Sequence, residues 1–122
     1  MLRRWAAVDL LAVLVFVVIG RSVHDHGINV AGIASTAWPF AAGLAVGWLA
    51  VVTARRPGTS LLDGVIVSVC TVAIGMSLRA ISDQGVAVAF VVVALGFLGA
   101  CMLGWRAVLG LLRRLHAKHA AA

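Results

Sequence analysis

Residues 61–79 read LLDGVIVSVCTVAIGMSLR: one aspartate near the start, one arginine at the end, and no charge between them. Such a run is close to the roughly 20 apolar residues that carry a helix across about 30 Å of hydrocarbon. Working outward, three more stretches have the same character, 5–22, 31–54 and 86–110. The gaps between them are too short for a soluble domain. The expectation is an all-α four-transmembrane-helix bundle, one integral membrane domain over 1–122, with 112–122 as a basic cytoplasmic tail.

Composition agrees. Hydrophobic residues make up 63% of the chain and charged residues 11%, against roughly 45–50% and 25% in a soluble domain. The net charge of +6 is read by position. With the amino terminus in the cytoplasm, Arg3, Arg4, Arg55, Arg56, Arg106, Arg113, Arg114 and Lys118 fall inside, and only Arg21 and Arg79 fall outside. That bias predicts a multi-pass plasma-membrane protein with both termini cytoplasmic. It makes the basic charge a topology signal with the lipid bilayer as partner, and no nucleic-acid partner is expected. The hydrophobic run after Arg3 and Arg4 ends in Ile19-Gly20-Arg21-Ser22 without a small-x-small cleavage site, so it reads as an uncleaved span.

Sliding the sequence on itself by 54 to 58 residues aligns a series of features. Asp9 meets Asp63, Ile19-Gly20-x-Ser22-Val23-His24 meets Ile74-Gly75-x-Ser77-Leu78-Arg79, and His26-Gly27 meets Gln84-Gly85. Phe40 meets Phe97, and Gly47-Trp48 meets Gly104-Trp105. The order suggests a tandem, parallel duplication of a two-helix hairpin, its halves related by an axis along the membrane normal. Helical spacing then marks helix-packing seams at Gly20, Gly43, Gly47, Gly64, Gly75, Gly96 and Gly104, because small residues let backbones approach where lipid gives no hydrophobic drive. Gly20 and Gly75 are expected to bring the first and third spans together. The stripe through Ser68 and Thr71 reads as a packing seam or, alternatively, as the lining of a polar path.

Charges in or beside spans are functional candidates when a partner can be named. Asp9, Asp63 and Arg106 lie near the cytoplasmic face and form a candidate inner ion-pair cluster. Asp63 also follows Ser60 at capping-box spacing. Trp48 and Trp105, near the same face, read as belt anchors. The outer face carries the candidate polar site: Arg21, His24, Asp25, His26, Arg79, Asp83 and Gln84. Two histidines there are too few for a zinc site, so no metal is expected, nor any cofactor. Cys-x-x-Cys, His-Glu-x-x-His and the nucleophile elbow are all missing, so no enzyme is expected.

The ordered set Asp9, Gly20-Arg21-x-x-His24, Pro39-Phe40, Gly47-Trp48, Leu78-Arg79, Gln84-Gly85, Phe90-Val91 and Gly104-Trp105-Arg106 resembles a family of small four-span membrane proteins of actinobacteria and haloarchaea, known only as a domain of unknown function. The resemblance covers almost the whole chain and implies no activity. Two functional readings follow from the residues. In one, a homo-oligomer carries a small anionic solute, with His24 and Arg79 facing each other at the outer mouth and Asp9, Asp63 and Arg106 as the inner gate. In the other, the chain is a non-transporting accessory or structural subunit of a larger membrane complex.

Overall fold

A computed structural model describes residues 2–23 and 27–121. The chain is all-α, as the sequence predicts: α1 Leu2–Val23, α2 Val30–Thr53, α3 Leu61–Ile81 and α4 Val88–Ala121. Each helix is long and apolar enough to cross a membrane. The bounds depart from the expected spans chiefly at the end of the chain. There α4 runs unbroken through the basic tail, 34 residues in all, or about 51 Å against about 30 Å of hydrocarbon. Between Leu111 and Ala121 there is neither glycine nor proline to stop it, and leucine, alanine, arginine and lysine are strong helix formers.

The helix ends follow from local chemistry. Asn29 caps α2 by accepting from Gly32 N at 2.7 Å. Ser60 and Asp63 form the capping box of α3. Both α2 and α3 end on a left-handed residue that is not glycine, Arg55 (φ 57°) and Asp83 (φ 59°). In each case the next amide bonds back five residues, Arg56 N to Val51 O and Gln84 N to Arg79 O. This is the Schellman arrangement, and it satisfies carbonyls the helix leaves open.

The four helices close into a ring in which α1 meets α2, α2 meets α3, α3 meets α4, and α4 returns to α1. Across the diagonals no backbones approach closely among the described residues, and α2 reaches α4 only through side chains such as Phe40 against Phe90. The tightest seam is α2 on α3. A Cβ on Gly43 would stand 2.7 Å from the Thr71 carbonyl oxygen, and one on Gly47 3.0 Å from Val67 Cα. Gly75 accommodates the Phe40 ring of α2, and Gly64 accommodates Leu103 and Arg106 of α4. Gly20, Gly96 and Gly104 behave differently from the sequence expectation, since no atom lies within 4 Å of a Cβ built on any of them. The first and third spans are diagonal, so Gly20 and Gly75 do not bring them together.

Phe16 is the hub of the core. Its ring sits 5.8 Å from Phe40, 5.8 Å from Phe90 and 5.5 Å from Phe97, centroid to centroid. One α1 side chain thereby ties α2 and α4 together near mid-bundle, and aromatic pairs in this range add to the area they bury. Large apolar side chains such as Leu11, Leu49 and Val92 point outward, each about 60% exposed, the inverse of a water-soluble bundle.

Candidate functional site

Two polar clusters occupy opposite ends of the bundle. At the terminal end, with the chain termini and the α2–α3 turn, Asp9 and Arg106 are both fully buried. Arg106 donates from Nη1 to Asp9 Oδ1 at 3.0 Å and from Nη2 to Oδ2 at 2.7 Å, the two-pronged fork that best matches guanidinium to carboxylate. The indole N–H groups of Trp105 and Trp48 donate to Oδ1 at 2.8 Å and to Oδ2 at 2.9 Å. A carboxylate offers about four acceptor sites, and all four are taken. Arg106 also donates to the carbonyls of Gly58 and Met102, each at 3.0 Å. Gly64 on α3 leaves the space its side chain fills, for a Cβ there would stand 2.9 Å from Arg106 Cδ.

Asp63 does not join that pair. It accepts from Arg56 Nε, from Gly58 N at 2.8 Å and from Ser60 N at 3.2 Å, while its own amide donates to Ser60 Oγ at 3.1 Å. The expected cluster of Asp9, Asp63 and Arg106 is therefore two ion pairs bridged by one residue. Gly58 offers its carbonyl to Arg106 and its amide to Asp63. Among the described residues no buried side-chain nitrogen or oxygen lacks a partner. Asp9, with its four acceptor sites filled, has none left for a substrate proton or a metal, and the arrangement around it is that of a structural ion pair.

Sequence reasoning placed Trp48 and Trp105 at a membrane interface and missed them as ligands of Asp9. The available signal was the matched Gly47-Trp48 and Gly104-Trp105. Trp105 also stacks on Trp5 at 5.2 Å, with the Arg106 guanidinium 4.3 Å from its ring centroid.

At the hairpin end, which carries the α1–α2 and α3–α4 connections, a cavity of about 1000 Å³ lies between α1 and α4. That is the upper end of the range for small-molecule sites, roughly 300–1,000 Å³. Phe16, Val17, Phe90 and Val93 give it an apolar body, and Arg21, Thr36, Arg79 and Gln84 give it a polar rim. Arg79 donates from Nε to Gly85 O at 3.2 Å, from Nη1 to Gln84 Oε1 at 3.3 Å and from Nη2 to Gln84 O at 3.1 Å. Its guanidinium also lies 4.6 Å from the Phe90 ring centroid.

Arg21 has the same habit. It donates from Nε to Gly27 O at 2.8 Å and from Nη1 to Thr36 Oγ1 at 2.9 Å. Both accepting glycines have positive φ, 78° at Gly27 and 81° at Gly85. Each arginine thus clasps the carbonyl six residues ahead. By geometry the counterpart of Arg79 is Arg21, whereas the sequence alignment pairs Arg79 with His24.

Of the predicted outer residues, Arg21, Arg79 and Gln84 converge on the cavity. Asp83 is exposed and serves as the left-handed cap of α3. His24, Asp25 and His26 lie outside the described residues. Among the described residues no group of three or more metal-ligating side chains is gathered. Ser68 and Thr71 donate to carbonyls of their own helix, Val65 O at 3.3 Å and Val67 O at 2.7 Å, so they line no polar path.

No curated protein and no solved structure matches the chain. A family model matches residues 6–109, a stretch that holds both polar clusters and the glycine seam, and by that match the chain belongs to the family described as "Protein of unknown function (DUF3054)".

Proposed function

We propose that this is a multi-pass plasma-membrane protein, termini cytoplasmic, that holds a small anion in the groove at its hairpin end and does not conduct it through the bundle. The observation that carries the reading is Arg79. It is half-buried at the cavity rim, and the groups that fix its guanidinium are neutral: an amide oxygen, two carbonyls and a ring face. Among the described residues no carboxylate forms an ion pair with it. Neutral acceptors orient a guanidinium without cancelling its charge, which leaves the charge for a ligand. The matched clasps of Arg21 and Arg79 favour a duplicated hairpin whose halves both contribute to one groove.

Holding is favoured over conduction by the other end, where the Asp9, Arg106, Gly58 and Asp63 web fills the interior with satisfied polar groups. The test is thermal unfolding of the purified protein in neutral detergent, in phosphate or in chloride of equal ionic strength. Phosphate is expected to raise the midpoint of the wild type and to have no such effect on Arg79→Gln. Equal responses of the two proteins end the anion reading.

A second reading, docking into a larger membrane assembly, is favoured by one observation. The row Gly96, Ala100 and Gly104 on α4 leaves open space over both of its glycines and faces away from the other helices at Gly96 and Ala100. Association lost on Gly104→Leu, read by mass in native detergent complexes, supports it.

A further inference from the structure

We infer that the ligand of the hairpin-end groove is a single-chain anionic amphiphile that enters sideways from the bilayer. The inference rests on the anion reading above and names the class of ligand that the rest of the cavity fits.

The cavity does not end at its arginines. Below the rim of Arg79 and Gln84 its walls are Phe16 and Val17 on α1 and Phe90 and Val93 on α4. A free inorganic anion gains nothing from such walls. An ion flanked by apolar surface also loses water that only the guanidinium would replace. A ligand with one charged end and one hydrocarbon end is complementary to both parts at once. The charge would meet the guanidinium, and the first part of the chain would lie on the phenylalanines.

The way in is lateral. Gly20 on the α1 wall has open space above it, and on the α4 wall Ala89 is exposed and Val93 is 57% exposed. From Arg21 to Phe16 is five residues along α1, about 7.5 Å. The groove therefore houses the beginning of a chain and leaves the remainder in lipid. That geometry suits one acyl chain on a compact anionic head, and gives a second chain no wall of its own.

The test compares dodecyl phosphate, below its micellar concentration, with inorganic phosphate on the full chain in phosphatidylcholine nanodiscs. Titration calorimetry is used, with empty nanodiscs subtracted. Each methylene buried in an apolar site multiplies affinity by up to roughly fourfold, so a partly buried chain should tighten binding by about tenfold or more. Arg79→Gln should remove the saturable binding of both. Gly20→Leu fills the groove from one wall and Val93→Phe from the other. Each should shrink the advantage of dodecyl phosphate over phosphate to about threefold or less.

An advantage that survives both substitutions overturns the inference. If phosphate binds through Arg79 and the chain adds nothing, the ligand is a small anion, and this inference falls while the anion reading stands. If dodecyl phosphate binds Arg79→Gln as tightly as wild type, the contact is hydrophobic only, and both fall.

Discussion

Arg106 of α4 closes a two-pronged fork on Asp9 of α1, 97 residues away in sequence, with neither side chain exposed. No other described ion pair joins two helices, since Arg56 and Asp63 lie seven residues apart around a single turn. Removing one partner of a buried pair strands the other, at a cost of about 3–5 kcal/mol. Asp9→Asn and Arg106→Gln should each lose about that much in reversible unfolding in mixed micelles. The double substitution should lose clearly less than the sum. Additive losses would show that the fork contributes no coupling.

Trp48 and Trp105 give a sharper test, because phenylalanine keeps an aromatic ring and removes the N–H along with part of the indole. A hydrogen bond to a charged acceptor contributes about 1.5–3 kcal/mol, and each Trp→Phe change should cost that much by the same unfolding measurement. Lost ring volume adds to the cost in either case, so the comparison that decides is the one with Asp9 changed. In the Asp9→Asn background the cost should fall, since the acceptor is no longer charged.

Glycines of similar spacing should respond differently to a methyl group. Gly43→Ala sets a Cβ against the backbone of Thr71, at 2.7 Å from its carbonyl oxygen and 2.9 Å from its Cα. Neither helix can yield there without moving its neighbours, so a loss of about 1–3 kcal/mol is expected. Gly96→Ala adds a methyl to open space and should leave stability within about 0.5 kcal/mol of wild type. Comparable losses at both positions would mean that α4 packs on something through that face.

Asp83 tests the difference between a cap and a ligand. At φ 59° it occupies a conformation that costs an L residue roughly 1–2 kcal/mol and an aspartate somewhat less. Asp83→Gly should therefore raise stability by about 0.5–1 kcal/mol, and Asp83→Val should lower it. A role in ligand binding predicts instead that Asp83→Gly weakens the phosphate response described above.

A further glycine, Gly32, controls where Arg21 stands. A Cβ there would overlap the Arg21 guanidinium, so Gly32→Ala should displace it from its place beside Thr36. The far end of a flexible side chain moves cheaply, and stability should change by less than about 0.5 kcal/mol. The phosphate response should nonetheless weaken. An unchanged response would show that the position of Arg21 is immaterial to the groove.

Much of the fold was legible because apolar length is a one-dimensional property: four long apolar runs with short gaps admit few arrangements. Asp9 and Arg106 were legible as partners for a similar reason, since a charge within a span needs an opposite charge. What sequence could not supply was azimuth. Gly43 and Gly96 stand in the same kind of small-xxx-small row, but only the helix ring decides which row meets a neighbour.

The same limit hid Arg21. An alignment offset by 55 residues pairs His24 with Arg79, whereas the clasped glycines pair Arg21 with Arg79 at an offset of 58. A slip of three residues turns a helix by most of a revolution. Trp48 and Trp105 were misread because a tryptophan one or two turns from a helix end looks the same whether it faces headgroups or a buried carboxylate.

Gly58 has a mechanical meaning as well. It knots α1, the α2–α3 turn and α4 together at one end of the molecule. At the other end, Arg21 reaches Gly27 and Thr36, and Arg79 reaches Gln84 and Gly85. The bundle is built like a clothes peg, pinned by a buried ion pair at Asp9 and held by neutral contacts at the jaws. Arg21 lies 12 residues beyond Asp9, a lever of about 18 Å. A tilt of α1 by about 5° about that pivot would carry Arg21 through about 1.6 Å, more than half the length of a hydrogen bond. A small angle at the pivot is thus a large distance at the jaws.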